Sequence, residues 1–233
     1  MASSSILLQG GTLLIHDEDD HVKSVKADLL IEGNTIAKIE AGLEPSAGTQ
    51  AIDCTDKIIS PGFIDTHHHV WQTLQKGRHV NQLLLDYMPS GTTPFPKHDS
   101  LLTSSGNFTN SLHTPADIFW GELGGCLECL DVGTTTVVDH AHMNYSPEHS
   151  KAAIAATLSS GIRSVFCYCP TPRLDSWDPF TISKDFLPPW VMSTLEELVA
   201  HKSLVNSRVQ LGVAFDGGSF LPKEVGILQN PPI

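Results

Sequence analysis

Three consecutive histidines, His67, His68 and His69, stand in the string PGFIDTHHHVWQ at residues 61–72. Neutral imidazole offers a lone pair near neutral pH, which makes histidine the commonest side-chain metal ligand. The apolar residues Ile58, Ile59, Phe63 and Ile64 precede them and predict the end of a buried strand. A strand turns successive side chains to opposite faces. His67 and His69 therefore share one face and His68 takes the other. Two imidazoles on one face at the mouth of a strand can grip one metal ion. An isolated His-x-His is common without a metal, and a triple His also occurs in purification tags. This one is internal, short and fused to an apolar strand.

A second spacing with chemical meaning is Cys126-x-x-Cys129. It lies in ELGGCLECLDVG, a helical pattern in which i and i+3 merely share a face. No second C-x-x-C completes a zinc set. The five cysteines (Cys54, Cys126, Cys129, Cys167, Cys169) are odd in number. With no secretion signal, they read as free thiols of a reducing compartment. The chain of 233 residues carries a net charge of -12 and has no Lys/Arg cluster. That balance excludes the electrostatic footprint of nucleic-acid binding. Ile6-Leu7-Leu8 is too short for a signal peptide, and no apolar stretch reaches membrane-spanning length. The reading is a cytoplasmic protein with a small-molecule substrate and no nucleic-acid or membrane partner. A homo-oligomer stays open.

The elements that must position the histidines follow from pattern. SILLQGGTLLIHD holds two β-rich runs around Gly10-Gly11, and ADLLIEGNTIAKIE is a hairpin turning at Gly33-Asn34. AIDCTDKIISPG is a strand that enters the histidine stretch. Residues 71 to about 88 read as a helix with Leu74, Leu83, Leu84 and Tyr87 on its apolar side. Residues 89–113 are rich in Pro, Gly, Ser and Thr, and a loop of that length is commonly a lid or a mobile segment. Thr114, Pro115 and Asp117 open a helix as N-cap, first and third positions. It runs through Phe119, Leu123, Leu127 and Leu130 to Gly133. TTTVVDHAH is a strand, and SPEHSKAAIAATLSSG is a helix with Ser146 as cap, Pro147 at its start and Gly161 past its end. IRSVFCYCP is a strand, residues 170–189 are a Pro-rich connection, and WVMSTLEELVAHKSLV is a helix. RVQLGVAFDGG is a strand ending at Asp216. Strands that alternate with helical crossovers require a parallel sheet, so the class is α/β.

PGFIDTHHH resembles the first barrel strand of the amidohydrolase superfamily, whose motif is G-F-I-D-x-H-x-H. The tail VWQTLQKG narrows the resemblance to the branch of cytosine deaminases, S-adenosylhomocysteine deaminases and triazine chlorohydrolases. GTTTVVDH resembles that family's second barrel strand. The resemblance implies a partial TIM (β/α)8 barrel of the metal-dependent hydrolase type. Residues 1–60 would be the N-terminal β-sandwich half, and 61–233 the first four βα units. It also implies a divalent metal, Zn or Fe, held by His67 and His69. The implied reaction is hydrolysis of a C–N bond in a small cyclic or heteroaromatic substrate, by deamination or amide-type cleavage.

Barrel enzymes gather their chemistry at the C-terminal ends of the strands. Gln72, His140 and Asp216 are accordingly expected to bind substrate. Asp139, His142, Cys167 and Cys169 stand at the same level, and Asp139 and His140 also read as packing residues. Asp216 lies in AFDG, where deaminase relatives carry a pocket-lining His in a P-H-A-P-like string. That departure stops their substrates from being carried over. The family takes its remaining ligands, a His, a His and an Asp, from strands 5, 6 and 8, and its proton-transfer Glu follows the strand 5 His. Here the strand pattern stops near Asp216, and Asn230-Pro231-Pro232 cannot continue a central strand. Three readings stand: a metal-dependent hydrolase, an inactive truncated fragment, and a half-barrel that binds or scaffolds. For the 233 residues by themselves the expectations are no catalytic residue, weak metal binding by His67 and His69 alone, no turnover and poor folding. A longer reading frame is expected to continue the chain.

Overall fold

A computed structural model describes residues 5–78, 83, 108–177, 179–185, 187–202, 204 and 207–215. Asp216, most of the expected lid and the residues after 215 lie outside that set. The chain divides into two compact units, Met1–Gly62 and Phe63–Ile233.

The first unit is one five-stranded sheet. β1 (Ser5–His16), β2 (Val22–Glu32), β3 (Thr35–Glu40) and β4 (Thr49–Asp53) pair in the order β3-β2-β1-β4, and β5 (Ile58–Ile59) pairs with β1. The two expected β-rich runs form the single strand β1, with a register shift between Leu8 and Gly11. Gly10 takes a left-handed φ of 73° there. Its N–H donates to Asp28 Oδ1 at 2.7 Å, so the buried Asp28 pins the bulge. Leu13, Ala27 and Leu29 form the core of this unit.

Ile58 and Ile59 do not continue into the histidine strand. They pair with Thr12 and Leu13 of β1, and Pro61-Gly62 separates them from β6 (Phe63–His68). The expected buried strand is corrected further: Phe63 is 68% exposed and Ile64 66%. β6 is the edge of the described sheet, so nothing described covers its outer side.

The second unit is built on a four-stranded parallel sheet. β6 is followed by α1 (Pro115–Asp131), β7 (Thr134–Asn144), α2 (Pro147–Ser160) and β8 (Arg163–Pro170). Then come a small hairpin of β9 (Leu174–Trp177) and β10 (Phe180–Ile182), α3 (Pro189–Ala200) and β11 (Val209–Val213). The order β11-β8-β7-β6 has no reversal. A doubly wound sheet reverses its strand order at a switch point. Sequential order matches the winding of a (β/α)8 barrel, and the described residues give three βα units and a fourth strand.

Local chemistry explains the helices. Thr114 and Asp117 close a reciprocal capping box: Thr114 Oγ1 accepts from the Asp117 N–H, and Asp117 Oδ2 accepts from the Thr114 N–H. Gly161 ends α2 in the left-handed region at φ 80°. Ser146 sits at the α2 N-cap, but its hydroxyl donates to Glu148 Oε2 and serves no backbone N–H. The expected helix over 71–88 begins instead as a 3-10 turn, Val70–Gln75. Gly77, at φ 80°, turns the chain away two residues later. Leu84 and Tyr87 lie outside the described residues. Within the Pro-rich connection the β9–β10 hairpin was not legible, because its strands are only four and three residues long.

The core between sheet and helices holds Trp71, Ile118, Met143, Phe166 and Tyr168. It also holds two fully buried acids, Glu122 of α1 and Asp139 of β7. Asp139 Oδ1 accepts from the Val70 N–H at 3.2 Å, and Glu122 Oε1 accepts from Thr157 Oγ1 at 2.8 Å. Their other oxygens meet no conventional donor. The two side chains hydrogen-bond to each other, which requires a proton on one of them. Burial raises the pKa of both, and for Glu122 the Asp139 charge adds to it. The fold therefore keeps a proton that the unfolded chain releases above about pH 4. Stability from that retained proton is fully present below this pH and is lost as pH rises through the raised folded pKa. Glu122→Gln removes the titration and keeps the shape. The melting temperature of the variant relative to wild type should climb from pH 5 to pH 9, and a pH-independent difference would refute the shared proton.

Candidate metal centre

The position of the histidines depends on one extra residue. β6 pairs with β7 in parallel, with Asp65 opposite Val137 and His68 opposite Asp139. Three steps along β6 thus match two along β7, which is a β-bulge. A one-residue slip flips every later side chain to the other face. Without it, His67 and His69 would fall in line with Asp139 and Ala141, which are buried against the helices. With it, His69 comes abreast of His140, on the half-buried face that also carries Val138 and His142.

Asp65 holds the bulge. Its Oδ1 accepts from the His67 N–H at 3.1 Å and its Oδ2 meets His68 Nδ1 at 2.8 Å. The His68 hydrogen bond, with the His67 N–H behind it, holds the Asp65 carboxyl below the usual carboxylate range. His68 is thereby tied back, and His67 and His69 are left together. Their rings meet edge to face with centroids 5.0 Å apart.

His69 has a defined tautomer. Its Nδ1 lies 2.9 Å from the backbone carbonyl of His140. A carbonyl only accepts, so Nδ1 carries the proton and the lone pair is on Nε2. Metal-binding histidines are oriented in this way, by donating the second ring N–H to a fixed acceptor. One nitrogen from each of His67, His69 and His140 lies within 4.8 Å of the others. Imidazole suits zinc, iron and their neighbours in the first transition row, whereas calcium and magnesium demand oxygen. The donors present fit the expected metal.

The turn after His69 is seated on α1. Val70 and Trp71 are fully buried. A Cβ on Gly125 would lie 2.4 Å from the Val70 carbonyl oxygen, and one on Gly121 would lie 2.8 Å from the Trp71 oxygen. Glycine four residues apart is what lets the turn approach the helix so closely. The signal was present in GELGGC, since glycine inside a helical pattern marks a close approach. Gln72 sits in this turn, half-buried, with its N–H on the His69 carbonyl. His142 packs on His69 and Trp71, with centroids 4.4 and 5.3 Å away. Cys167 stands opposite His140 in register on β8, and burial raises its pKa. Asp139 faces the other way, into the acid pair. Asp216 lies outside the described residues.

The C-x-x-C pair belongs elsewhere. Cys126 and Cys129 are buried on the inner side of α1, and all five thiols are free. Burial, with Glu122 behind it, pushes the Cys126 thiol far above its ordinary range. A thiol held protonated is a poor nucleophile and a poor ligand.

With this geometry in place, comparison with known proteins gives the lineage. The amidohydrolase family model matches residues 58–210, and the chain belongs to that family. The 5-methylthioadenosine/S-adenosylhomocysteine deaminase of Thermococcus sibiricus is 35% identical over 164 residues, which is 70% of this chain and 33% of that protein. The 5'-deoxyadenosine deaminase of Methanocaldococcus jannaschii is 31% identical over 148 residues, 63% of this chain and 30% of that protein. Among solved structures, an atrazine chlorohydrolase from Arthrobacter aurescens TC1 complexed with zinc superposes with a TM-score of 0.63 at 20% identity, covering 90% of this chain and 46% of that one. A triazine hydrolase structure gives a TM-score of 0.65 at 21% identity, covering 91% and 46%. These structural likenesses show the shared fold. The chain spans about a third of the length of these curated relatives and just under half of these solved chains.

Gly125→Ala tests the seating of the turn. Overpacking of this kind costs about 1–3 kcal/mol. We expect a lower melting temperature and weaker zinc binding, because the displaced turn begins at His69. Gly124→Ala is the control: its Cβ would meet only Thr73 Cγ2, at 3.6 Å. It should bind zinc like wild type, and equal effects of the two substitutions would contradict this account.

Proposed function

We propose that this chain carries the metal-gripping part of a hydrolase site that cleaves a carbon–nitrogen bond in a small heteroaromatic substrate. The observation that carries the reading is the pair His67 and His69, side by side at the end of the first barrel strand. The His140 carbonyl sets the lone pair of His69 on Nε2. Zinc or iron is the metal proposed. A bound divalent ion supplies Lewis acidity and activates water at neutral pH. In this reading His67 and His69 hold the ion, and Asp65 keeps His68 out of its way. His142 and Trp71 wall the site, and Gln72 stands on the substrate side.

The substrate class follows the relatives. Methylthioadenosine, deoxyadenosine and triazines share a nitrogen heteroaromatic ring, and family membership supports the same class here. The five free thiols support a place in the reducing cytoplasm. No helix among the described residues is long and apolar enough to cross a membrane.

The test is zinc titration of the full chain against a chromophoric chelator, with ammonia release from adenosine followed in parallel. His67→Ala and His69→Ala should each abolish binding. His68→Ala should weaken binding far less than either, because that ring lies off the site and the His67 N–H still holds Asp65. Any ammonia released should require the metal. Undiminished binding in both His67→Ala and His69→Ala would refute the reading.

A further inference from the structure

We propose that His140 is a third protein ligand, so that the first two barrel strands by themselves form a three-histidine metal site. The proposal rests on the reading of His67 and His69 as a metal pair, and it replaces the substrate contact expected of His140. Three observations carry it. The bulge in β6 places His69 and His140 abreast on neighbouring strands. Strand neighbours lie about 4.8 Å apart, a separation that a shared ion can span. The His140 ring completes a triangle with the other two, its centroid 5.3 Å from His67 and 5.1 Å from His69. One nitrogen from each ring falls within 4.8 Å of the other two.

The distances decide what movement is needed. A tetrahedral zinc holds nitrogen at about 2.0–2.1 Å, so its ligand atoms stand about 3.4 Å apart. Nitrogens up to 4.8 Å apart must therefore close by little more than 1 Å, which small ring rotations supply. His67 is exposed and His69 and His140 are half-buried, so the rings have room to turn. The backbone is already set, since the carbonyl of His140 orients His69 and its ring would bind the same ion. Three histidines with one open position are the ligand set of a catalytic zinc site. Two histidines alone would bind only weakly. On this proposal the chain binds zinc more tightly than the weak, incomplete binding expected of His67 and His69 alone.

A packing role for His140 makes a different forecast, because a phenylalanine ring would fill the same space among His67, His69 and His142. The experiment measures zinc affinity in the full chain for wild type, His140→Phe, His140→Ala and His16→Ala. As a ligand, His140 gives a loss of at least about tenfold in both His140 variants, with no rescue by phenylalanine. His16→Ala, in the first unit and off the site, should stay near wild type. A second measurement needs no variant. Diethyl pyrocarbonate modification of the wild-type chain is mapped by mass spectrometry with and without zinc. Zinc should protect His67, His69 and His140 and leave His16 and His68 unprotected. Wild-type affinity in His140→Phe, or protection of His67 and His69 without His140, would overturn the third ligand and leave the pair standing. Absence of zinc binding by the wild-type chain would overturn both.

Discussion

The site depends on the one-residue bulge between Asp65 and His68. Parity in a sheet is unforgiving, because each side chain belongs to one face or the other. In even register His67 and His69 would point into the helix layer, among Val137, Asp139 and Ala141. The extra residue turns them to the face of His140 and His142. Asp65 keeps the irregularity in place by holding the His67 N–H and the His68 ring together. One carboxylate thus sets both the backbone bend and the choice of which two histidines meet.

The layer beneath the site is organised to hold that bend still. Val70 begins the turn after His69. Its N–H is taken by the buried Asp139, and its carbonyl sits where Gly125 leaves no side chain. Asp139 is joined to Glu122 through one proton, and Glu122 is joined to Thr157 of α2. At the end of β7, Asn144 bonds the Ala141 and Cys169 carbonyls and accepts from Ser150. The side of β7 that carries His140 is therefore backed by buried polar groups on α1 and α2.

Much of this was legible in the sequence. The alternation after residue 60, the N-cap at Thr114 and the glycine stop at Gly161 each follow from local chemistry, and each stands in the structure. His67 and His69 were legible as a pair because period-two alternation survives any register. The position of His140 was not, since it depends on pairing between strands separated by some seventy residues, and on a bulge that no pattern announces. The acid pair was equally hidden: Asp139 reads as a strand-end candidate or a packing residue, and nothing in the sequence joins it to Glu122. The same limit explains the error at Phe63 and Ile64. Apolar strand residues predict burial, and only the described sheet, in which β6 is an edge, shows them exposed.

The central claim is that histidine nitrogen, gathered at the end of the first barrel strand, is what this chain offers a metal. X-ray absorption at the zinc edge of the loaded full chain tests it most directly. The account predicts a first shell of light atoms at about 2.0–2.1 Å with the outer-shell scattering of coordinated imidazole. A sulfur shell at about 2.3 Å would place the ion on cysteine and contradict the account, as would a light-atom shell without imidazole scattering.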